Sequence, residues 1–190
     1  MDFCKKSDII ELKHTGGIKM NFGVAMFPSK QLQDKVNQYR KRYDAHYALI
    51  PPHITVKESF EADESDKEKI IEYLKNVAKN HNPVDIEIKK VSSFVPNSQV
   101  IYFKVEKNEQ LSAIHDDLNK GDFYGENQHP FVPHFTIAQG QTSQEYEDVF
   151  GHLSMIGIDH SETLNRISLC FQLENGMWEV FETFRLGTGE

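Results

Sequence analysis

Apolar and polar positions follow two different periods along this chain. An alternation of two favours β-strands, whereas apolar residues that recur every three to four positions favour amphipathic helices. Strands are predicted over residues 21–27, 53–60, 84–91, 99–105, 131–140, 166–173 and 178–185, the last two joined by the hairpin signal Asn175-Gly176. Helices are predicted after the cap Ser29 (to about residue 43), at a capping box Ser65–Glu68 (ending before Pro83), after Asn108, and at a second capping box Thr142–Glu145.

The order of these elements repeats along the chain. A helix, a strand, a second helix and a pair of strands occur in the first half and again in the second, which predicts a duplicated unit. One such unit cannot bury its apolar face alone. We therefore expect an α+β fold with two pseudo-symmetric lobes of antiparallel sheet, helices outside, and a cleft between the lobes, all in one bilobal domain over residues 20–190.

The first 19 residues have no clear period and end in the sequence Thr-Gly-Gly-Ile-Lys. We expect them to be a disordered N-terminal extension or the result of a mis-assigned start. In the second case Met20 is the natural start, because the Gly-Gly pair before it is what a translated ribosome-binding sequence could encode.

A repeated pentapeptide carries the clearest chemical signal. Residues 52–56 (PHITV) are matched by residues 133–137 (PHFTI), and the two histidines lie 81 positions apart at corresponding points of the two units. Because side chains alternate along a strand, each histidine shares a face with the threonine two residues later, and the residues between them point into the core. If the two lobes face each other, both His-Thr pairs line one cleft.

Two imidazoles and two hydroxyls suit the chemistry of phosphodiesters. The reaction needs a base that takes a proton from water or a hydroxyl, and an acid that protonates the leaving oxygen. With an ordinary pKa of about 6.5, one histidine can be neutral while the other is charged near pH 7. The hydroxyls of Thr55 and Thr136 can donate hydrogen bonds to the non-bridging oxygens, where negative charge develops.

Two other interpretations stay open. One His-x-Thr sequence is common in strands, so each copy alone is weak evidence, and a non-catalytic module that binds a nucleotide or an RNA end could keep both copies. A metal hydrolase would use His53 and His134 as ligands, but a zinc site usually has three or four protein ligands and no such pattern is present. No metal or other cofactor is therefore expected.

Composition and charge narrow the possible substrates. The net charge is −8, which opposes binding to a long nucleic acid but not to a small nucleotide or an RNA end in a local pocket. No apolar run is long enough to span a membrane. The two cysteines, Cys4 and Cys170, form no disulfide or metal pattern, so a cytoplasmic protein with reduced thiols is expected, acting as a monomer.

The paired motifs HITV and HFTI resemble those of the two-histidine (2H) phosphoesterases, which include 2′-5′ RNA ligase-like proteins and cyclic nucleotide phosphodiesterases. The resemblance covers residues 20–190. The stretches GVAMFPSK, ALIPPHITV, SSFVPNSQVIYF, FVPHFTIAQG and QLENGMWEVFETFRLG are most similar to the bacterial YjcG-like branch.

The resemblance implies a bilobal fold with a central cleft and a metal-free mechanism. It implies His53 as proton donor, His134 as proton acceptor, and Thr55 and Thr136 as phosphate-holding residues. The substrate class it implies is a cyclic or 2′-5′ phosphodiester of a nucleotide or RNA end. Hydrolysis and 2′-5′ ligase-type transfer both remain possible, since only the nucleophile differs, although the acidic charge favours hydrolysis of a small substrate.

Three further residues are weaker candidates for substrate binding. By parity Lys57 shares a strand face with His53 and could reach phosphate, although a solvated lysine is the more common case. Tyr102 could stack on a base or pack in the core. Tyr124, in a Gly-rich loop, could be a lid residue or a surface aromatic. Trp178 is interpreted as a packing residue of the hairpin. The remaining histidines are expected at the surface or in local hydrogen bonds; they are His46, His81, His115, His129, His152 and His160.

Overall fold

The computed structural model describes residues 18–127 and 129–187. In these residues the chain forms β1 (Lys19–Met26), α1 (Lys30–Tyr43), β2 (Ile54–Asp63), α2 (Lys67–Asn80), β3 (Val84–Ser93), β4 (Ile101–Val105), α3 (Glu109–Leu118), β5 (His134–Ala138), α4 (Ser143–Leu153), β6 (His160–Leu164), β7 (Arg166–Gln172) and β8 (Trp178–Arg185). The predictions for the N-terminal extension fall on residues 1–19, nearly all of which lie outside the described residues.

Two four-stranded antiparallel sheets form the two lobes and confirm the α+β prediction. Their strand orders are β2-β1-β7-β8 and β5-β4-β3-β6. The lobes do not coincide with the two halves of the chain, because each half gives its hairpin to the other lobe. The hairpin β3–β4 pairs with β5, and the hairpin β7–β8 pairs with β1. Each lobe is therefore built from both halves.

Most of the predicted helix starts are confirmed by their caps. The Ser29 hydroxyl accepts from the Leu32 N–H at 3.3 Å, and the Asn108 side chain accepts from the Leu111 N–H at 2.9 Å. The capping box of Thr142 with Glu145 forms in full. These side chains satisfy backbone donors that have no partner inside the helix.

The capping box predicted at Ser65 does not form. Strand β2 continues to Asp63 because its last residues pair with the first residues of β1. The chain then makes a 3₁₀ turn, Glu64–Asp66, so Ser65 lies inside that turn and α2 begins only at Lys67.

Strand β6 was missed by the sequence analysis. Its sequence, HSETL, is mostly polar and ends in a single buried residue, Leu164. It is an edge strand that pairs only with β3, so its formation depends on a long-range partner and not on an apolar pattern of its own.

A single apolar cluster joins the buried faces of the two sheets. It includes fully buried rings from both lobes, among them Phe22 on β1, Phe103 on β4 and Phe135 on β5. Helix α1 follows a strand of the first sheet but packs on β5 of the second. The two sheets are thus held together by shared packing as well as by the chain exchange.

A buried ion pair ties the end of α1 to the end of β5. The Arg40 Nε donates to Asp44 Oδ2 at 2.6 Å, and both side chains are almost fully buried. The other carboxylate oxygen of Asp44 accepts from the His46 N–H and from Gln139 Nε2, each at 2.8 Å. Since Gln139 directly follows β5 and Asp44 begins the loop that leads to His53, this carboxylate connects the two motif strands.

We predict that Asp44→Ala destabilises the protein by about 3–5 kcal/mol, because it leaves the Arg40 guanidinium buried without its partner. Asp34→Ala is the matched control. It removes an exposed ion pair with Lys30 on the same helix, and such a pair contributes only about 0.3–0.5 kcal/mol. Chemical denaturation measures both free energies of unfolding. Equal losses in the two variants would contradict this role of Asp44.

Candidate active site

The two motif strands are the strands that the fold brings face to face. Each is the edge strand of its own sheet, β2 in the first and β5 in the second. Their Cα atoms come within 8 Å of each other, yet no backbone ladder joins them. The two sheets therefore approach each other at the edge strands that carry the two motifs.

Both motif histidines are held in the same way. Nδ1 of His53 lies 2.8 Å from the carbonyl oxygen of Pro51, and Nδ1 of His134 lies 2.7 Å from that of Val132. In each case one proline, Pro52 or Pro133, stands between the carbonyl and the histidine. Because proline fixes its own φ, it holds the chain in the conformation that keeps the carbonyl beside the ring.

This hydrogen bond selects the tautomer of each histidine. A carbonyl oxygen only accepts, so the proton of the neutral ring must be on Nδ1. Nε2 is then left with a lone pair in the neutral ring and with a proton in the charged ring. Each histidine thus offers one defined nitrogen, which can act either as a base or as an acid.

Burial keeps both rings neutral in the free protein. It lowers the pKa of His53 to about 4, even though the bond to the Pro51 carbonyl acts in the opposite direction; the charges of Arg40 and of protonated His134 lower it further. Burial also lowers the pKa of His134. Burial thus favours the neutral form of both rings, whereas one neutral and one charged ring near pH 7 was expected from the sequence.

The threonines share the faces that the alternation predicts. Thr55 and Thr136 are half-buried like the two histidines, whereas the residues between and after them are buried: Ile54, Val56, Phe135 and Ile137. Neither threonine hydroxyl has a side-chain hydrogen bond in the described part of the chain. Both hydroxyls are thus available to a ligand.

Tyr102 supports His134 from the neighbouring strand. It stands opposite Thr136 in the β4–β5 ladder, and its ring centroid lies 4.9 Å from that of His134. Phe94 packs edge-on against the same imidazole at 5.0 Å. Since only 4% of Tyr102 is exposed, its ring packs against His134 and has little free surface for a base.

Lys104 is a further candidate site residue, which was not identified from the sequence. It lies directly opposite His134 in the β4–β5 ladder, so the two side chains share a face, and Lys90 stands opposite Lys104 on β3. Neither lysine forms an ion pair with a carboxylate in the described ranges. The sequence shows Lys104 as a polar residue within a predicted strand. Its position beside His134 depends on which strands pair and in what register, and the sequence pattern does not give that pairing.

A bulge interrupts β2 after Thr55, so Lys57 does not share the strand face of Thr55 as parity predicts, although Lys57 still contributes to the wall of the pocket beside His53. Thr55 pairs with Ala25, but Lys57 pairs with Val24, whose side chain belongs to the core. The Lys57 ammonium donates to the Gly125 carbonyl at 2.6 Å and lies over the buried ring of Phe123. Only 4% of Lys57 is exposed, so the structure does not show the solvated lysine that was the alternative prediction. Burial lowers the pKa of its ammonium group.

Tyr124 lies against the core edge. Its ring stacks on Phe60 with a centroid distance of 4.7 Å, and burial together with the nearby carboxylate of Asp66 raises the pKa of its phenol. The described contacts of Tyr124 are with this cluster, and 37% of the residue is exposed, which agrees with the surface aromatic that was the alternative to a lid residue. The loop is held in turn by Lys57.

A pocket of about 190 Å³ opens beside His53 on the first sheet. Thr55, Gly23 and Trp178 contribute to its wall, so Trp178 does more than pack the hairpin, whose turn forms as predicted. A larger depression, of about 870 Å³, lies along α1 and contains neither motif histidine. We assign the candidate site to the smaller pocket, which His53 and Thr55 line, together with the neighbouring edge strand β5, which carries His134 and Thr136.

Three of the other histidines make local hydrogen bonds, as predicted. His81 pairs with Asp117, His115 with Asn127 and His160 with Glu162. Within residues 18–127 and 129–187, no three His, Cys, Asp or Glu side chains are grouped to hold a metal ion. None of the helices in those ranges is long and apolar enough to cross a membrane.

Comparison with known proteins points to one family. The model of the 2′-5′ RNA ligase superfamily matches residues 28–173. A relative from Staphylococcus epidermidis is 50% identical over 169 residues, covering 88% of this chain and 100% of its own length, and one from Geobacillus is 47% identical over 171 residues, covering 90% and 99%. Both are named "Putative phosphoesterase".

Solved structures share the fold at low sequence identity. A protein of Thermus thermophilus aligns with a TM-score of 0.65 at 16% identity, over 90% of this chain and 100% of its own. Escherichia coli LigT, crystallised with 3′-AMP, aligns with a TM-score of 0.65 at 11% identity, over 89% and 99%. These likenesses establish the two-lobed architecture independently of sequence.

We predict that anions bind this cleft together with a proton. Sulfate is a suitable probe because its own charge is constant near neutrality. As both histidines are neutral in the free protein, its affinity should rise when the pH falls from about 7.5 to 5.5, by up to about tenfold per unit for each proton taken up. Calorimetry in two buffers measures both the affinity and the proton uptake. The His53→Gln/His134→Gln double variant is the control, and an affinity in the wild type that does not vary with pH would refute the coupling.

Proposed function

The chain belongs to the 2′-5′ RNA ligase superfamily, and on that premise we propose that it hydrolyses a cyclic or 2′-5′ phosphodiester of a nucleotide or an RNA end, without a metal. The observation that carries the proposal is the doubled arrangement of His53 and His134. Each has its Nδ1 bonded to its own backbone and its Nε2 available, on two edge strands that face each other. An acid and a base on opposite sides of one phosphorus atom need this geometry.

The reaction is a single displacement at phosphorus. Nε2 of His134 accepts a proton from a water molecule, whose oxygen forms the new bond to phosphorus. Protonated Nε2 of His53 gives its proton to the ribose oxygen as that P–O bond breaks. A cyclic phosphodiester thereby becomes a phosphomonoester, and the proton moves from His134 back to His53 through solvent before the next turnover.

The substrate supplies the charge that prepares the acid. Burial lowers the pKa of His53 in the free protein, so its protonated form is scarce at neutral pH. A phosphodiester anion between the rings favours the charged imidazole, because an opposite charge within a few ångströms raises a histidine pKa. The surroundings of His53 disfavour its charged form. Once it is protonated, its imidazolium therefore gives up its proton readily to the leaving oxygen.

Hydroxyl and ammonium groups stabilise the phosphoryl oxygens. Thr55 and Thr136 donate from the two sides of the cleft, and Lys104 adds a positive charge beside His134. The negative charge on the non-bridging oxygens increases as the nucleophile adds, so donors placed before the reaction lower the barrier.

The charge of the protein and its structural neighbours support a small substrate. The net charge of −8 disfavours a long nucleic acid. LigT of the same fold has been crystallised with 3′-AMP, with phosphate and with ATP. A nucleotide or the last residue of an RNA is the substrate size that these observations favour for this chain.

We predict that the wild type converts a nucleoside 2′,3′-cyclic phosphate or a 2′-5′-linked dinucleotide to a phosphomonoester in excess EDTA. His53→Ala and His134→Ala should each lower kcat about 10²- to 10⁴-fold, the usual contribution of a general acid or base. His152→Ala changes an exposed histidine on α4 and is the matched control. Phosphorus NMR identifies the product and the bond that is cleaved.

The alternatives give different results in the same assay. Activity that EDTA abolishes would favour the metal hydrolase. A new 2′-5′ linkage to an RNA hydroxyl, in place of a phosphomonoester, would favour transfer. Binding that needs both histidines without any turnover would favour the non-catalytic module.

We predict a separate contribution from Lys104. Lys104→Met should raise KM for these substrates about 10- to 100-fold, the equivalent of one hydrogen bond to a charged group. Lys107→Met, on the exposed loop after β4, is the matched control. Steady-state kinetics measures both variants, and equal KM values for Lys104→Met and the wild type would exclude Lys104 from the phosphate site.

A further inference from the structure

The proposed chemistry leaves one end of the pocket beside His53 without a role. The pocket extends along the first sheet from His53 and Thr55, across Gly23, to the indole of Trp178. Its volume of about 190 Å³ is below the range of about 300–1,000 Å³ that whole ligands of drug size occupy. It is therefore of a size for one part of a substrate, such as a single ring system.

Trp178 is not needed by the apolar core. Its side chain is half-buried, and it belongs neither to the core cluster nor to the partly buried apolar side chains that pack on that cluster. It has no aromatic partner among the described residues. A large aromatic ring that is held at the edge of a cleft without packing in the core is a usual feature of binding surfaces.

The backbone that carries the indole is nevertheless held in place. The backbone N–H of Trp178 donates to the Leu49 carbonyl at 2.8 Å, which joins the start of β8 to the loop that leads to His53. Next to the ring, strand β1 has no side chain at Gly23. A Cβ there would lie 3.5 Å from Cζ3 and 3.7 Å from Cη2 of Trp178, so any longer side chain would extend into the pocket.

We propose that Trp178 is a stacking platform for the nucleobase of the substrate. The base lies against the indole on the Gly23 floor while the phosphate lies between His53 and His134. Aromatic stacking of this kind accepts every base, because each has a π-face. This inference rests on the proposed function and narrows it, since it selects nucleotides and RNA ends over phosphodiesters that lack a base.

The composition of the chain provides a direct test. Trp178 is its single tryptophan, so tryptophan fluorescence reports on this ring alone. Adenosine 3′-monophosphate should change the emission in a saturable way, whereas inorganic phosphate should compete for the same site and leave the emission nearly unchanged. Trp178→Ala should weaken binding of adenosine 3′-monophosphate about 10- to 100-fold by calorimetry, with a clearly smaller effect on inorganic phosphate.

Two further variants separate stacking from a loss of structure. Trp178→Phe keeps an aromatic face and should recover part of the affinity. Phe181→Ala removes a partly exposed ring of the same strand that packs on Phe171, away from the pocket, and should leave the affinity unchanged. Circular dichroism verifies that each variant is folded.

The outcomes distinguish this inference from its premise. Binding of adenosine 3′-monophosphate that requires both histidines but leaves the emission unchanged, with equal affinity in Trp178→Ala, would overturn the base platform and leave the proposed phosphodiester chemistry intact. If neither adenosine 3′-monophosphate nor phosphate binds and no cyclic phosphodiester is hydrolysed, both the platform and the proposed function fail.

Discussion

One hydrogen bond, made once in each lobe, fixes the chemistry of the cleft. In both motifs the imidazole Nδ1–H donates to the carbonyl two residues earlier, across a proline. Without this bond the ring could turn and present either nitrogen, and its tautomer would be undefined. With it, His53 and His134 each leave Nε2 available, and burial lowers the pKa of both rings. The proposed acid and base thus share the same backbone hydrogen bond but differ in their surroundings, because Phe94 and Tyr102 pack against His134 and the Arg40 charge acts on His53.

The exchange of hairpins makes this pairing a property of the whole domain. Because the hairpin β3–β4 supports β5, and β7–β8 lies beside β1, neither lobe can form from one half of the chain. The exchange leaves both motif strands at sheet edges, where their side chains can meet across a gap. The Asp44 carboxylate then connects the loop before His53 with the residue after β5. The distance between the two histidines therefore depends on contacts far from either in sequence.

Local features of the sequence predict much of this arrangement. The alternation of residues 52–56 and 133–137 places the His-Thr pairs correctly, and the caps at Ser29, Asn108 and Thr142 mark three helix starts. Features that depend on long-range contacts could not be predicted from the sequence. The bulge that turns Lys57 toward Gly125 breaks the parity rule, and the register that puts Lys104 beside His134 requires knowledge of which strands pair. Trp178 has the local signature of a hairpin residue, and only the folded sheet places it beside His53. The depressed histidine pKa values likewise depend on burial, which is a property of the complete fold.

Nitrogen NMR of the histidine side chains during a phosphate titration tests the central claim most directly. With the resonances of His53 and His134 assigned, the free protein at neutral pH should show both rings as the Nδ1–H tautomer. Inorganic phosphate should then shift both Nε2 resonances along one common saturation curve, because one anion contacts both rings. A proton on Nε2 in the free protein, or a response from only one of the two histidines, would contradict a shared acid–base site.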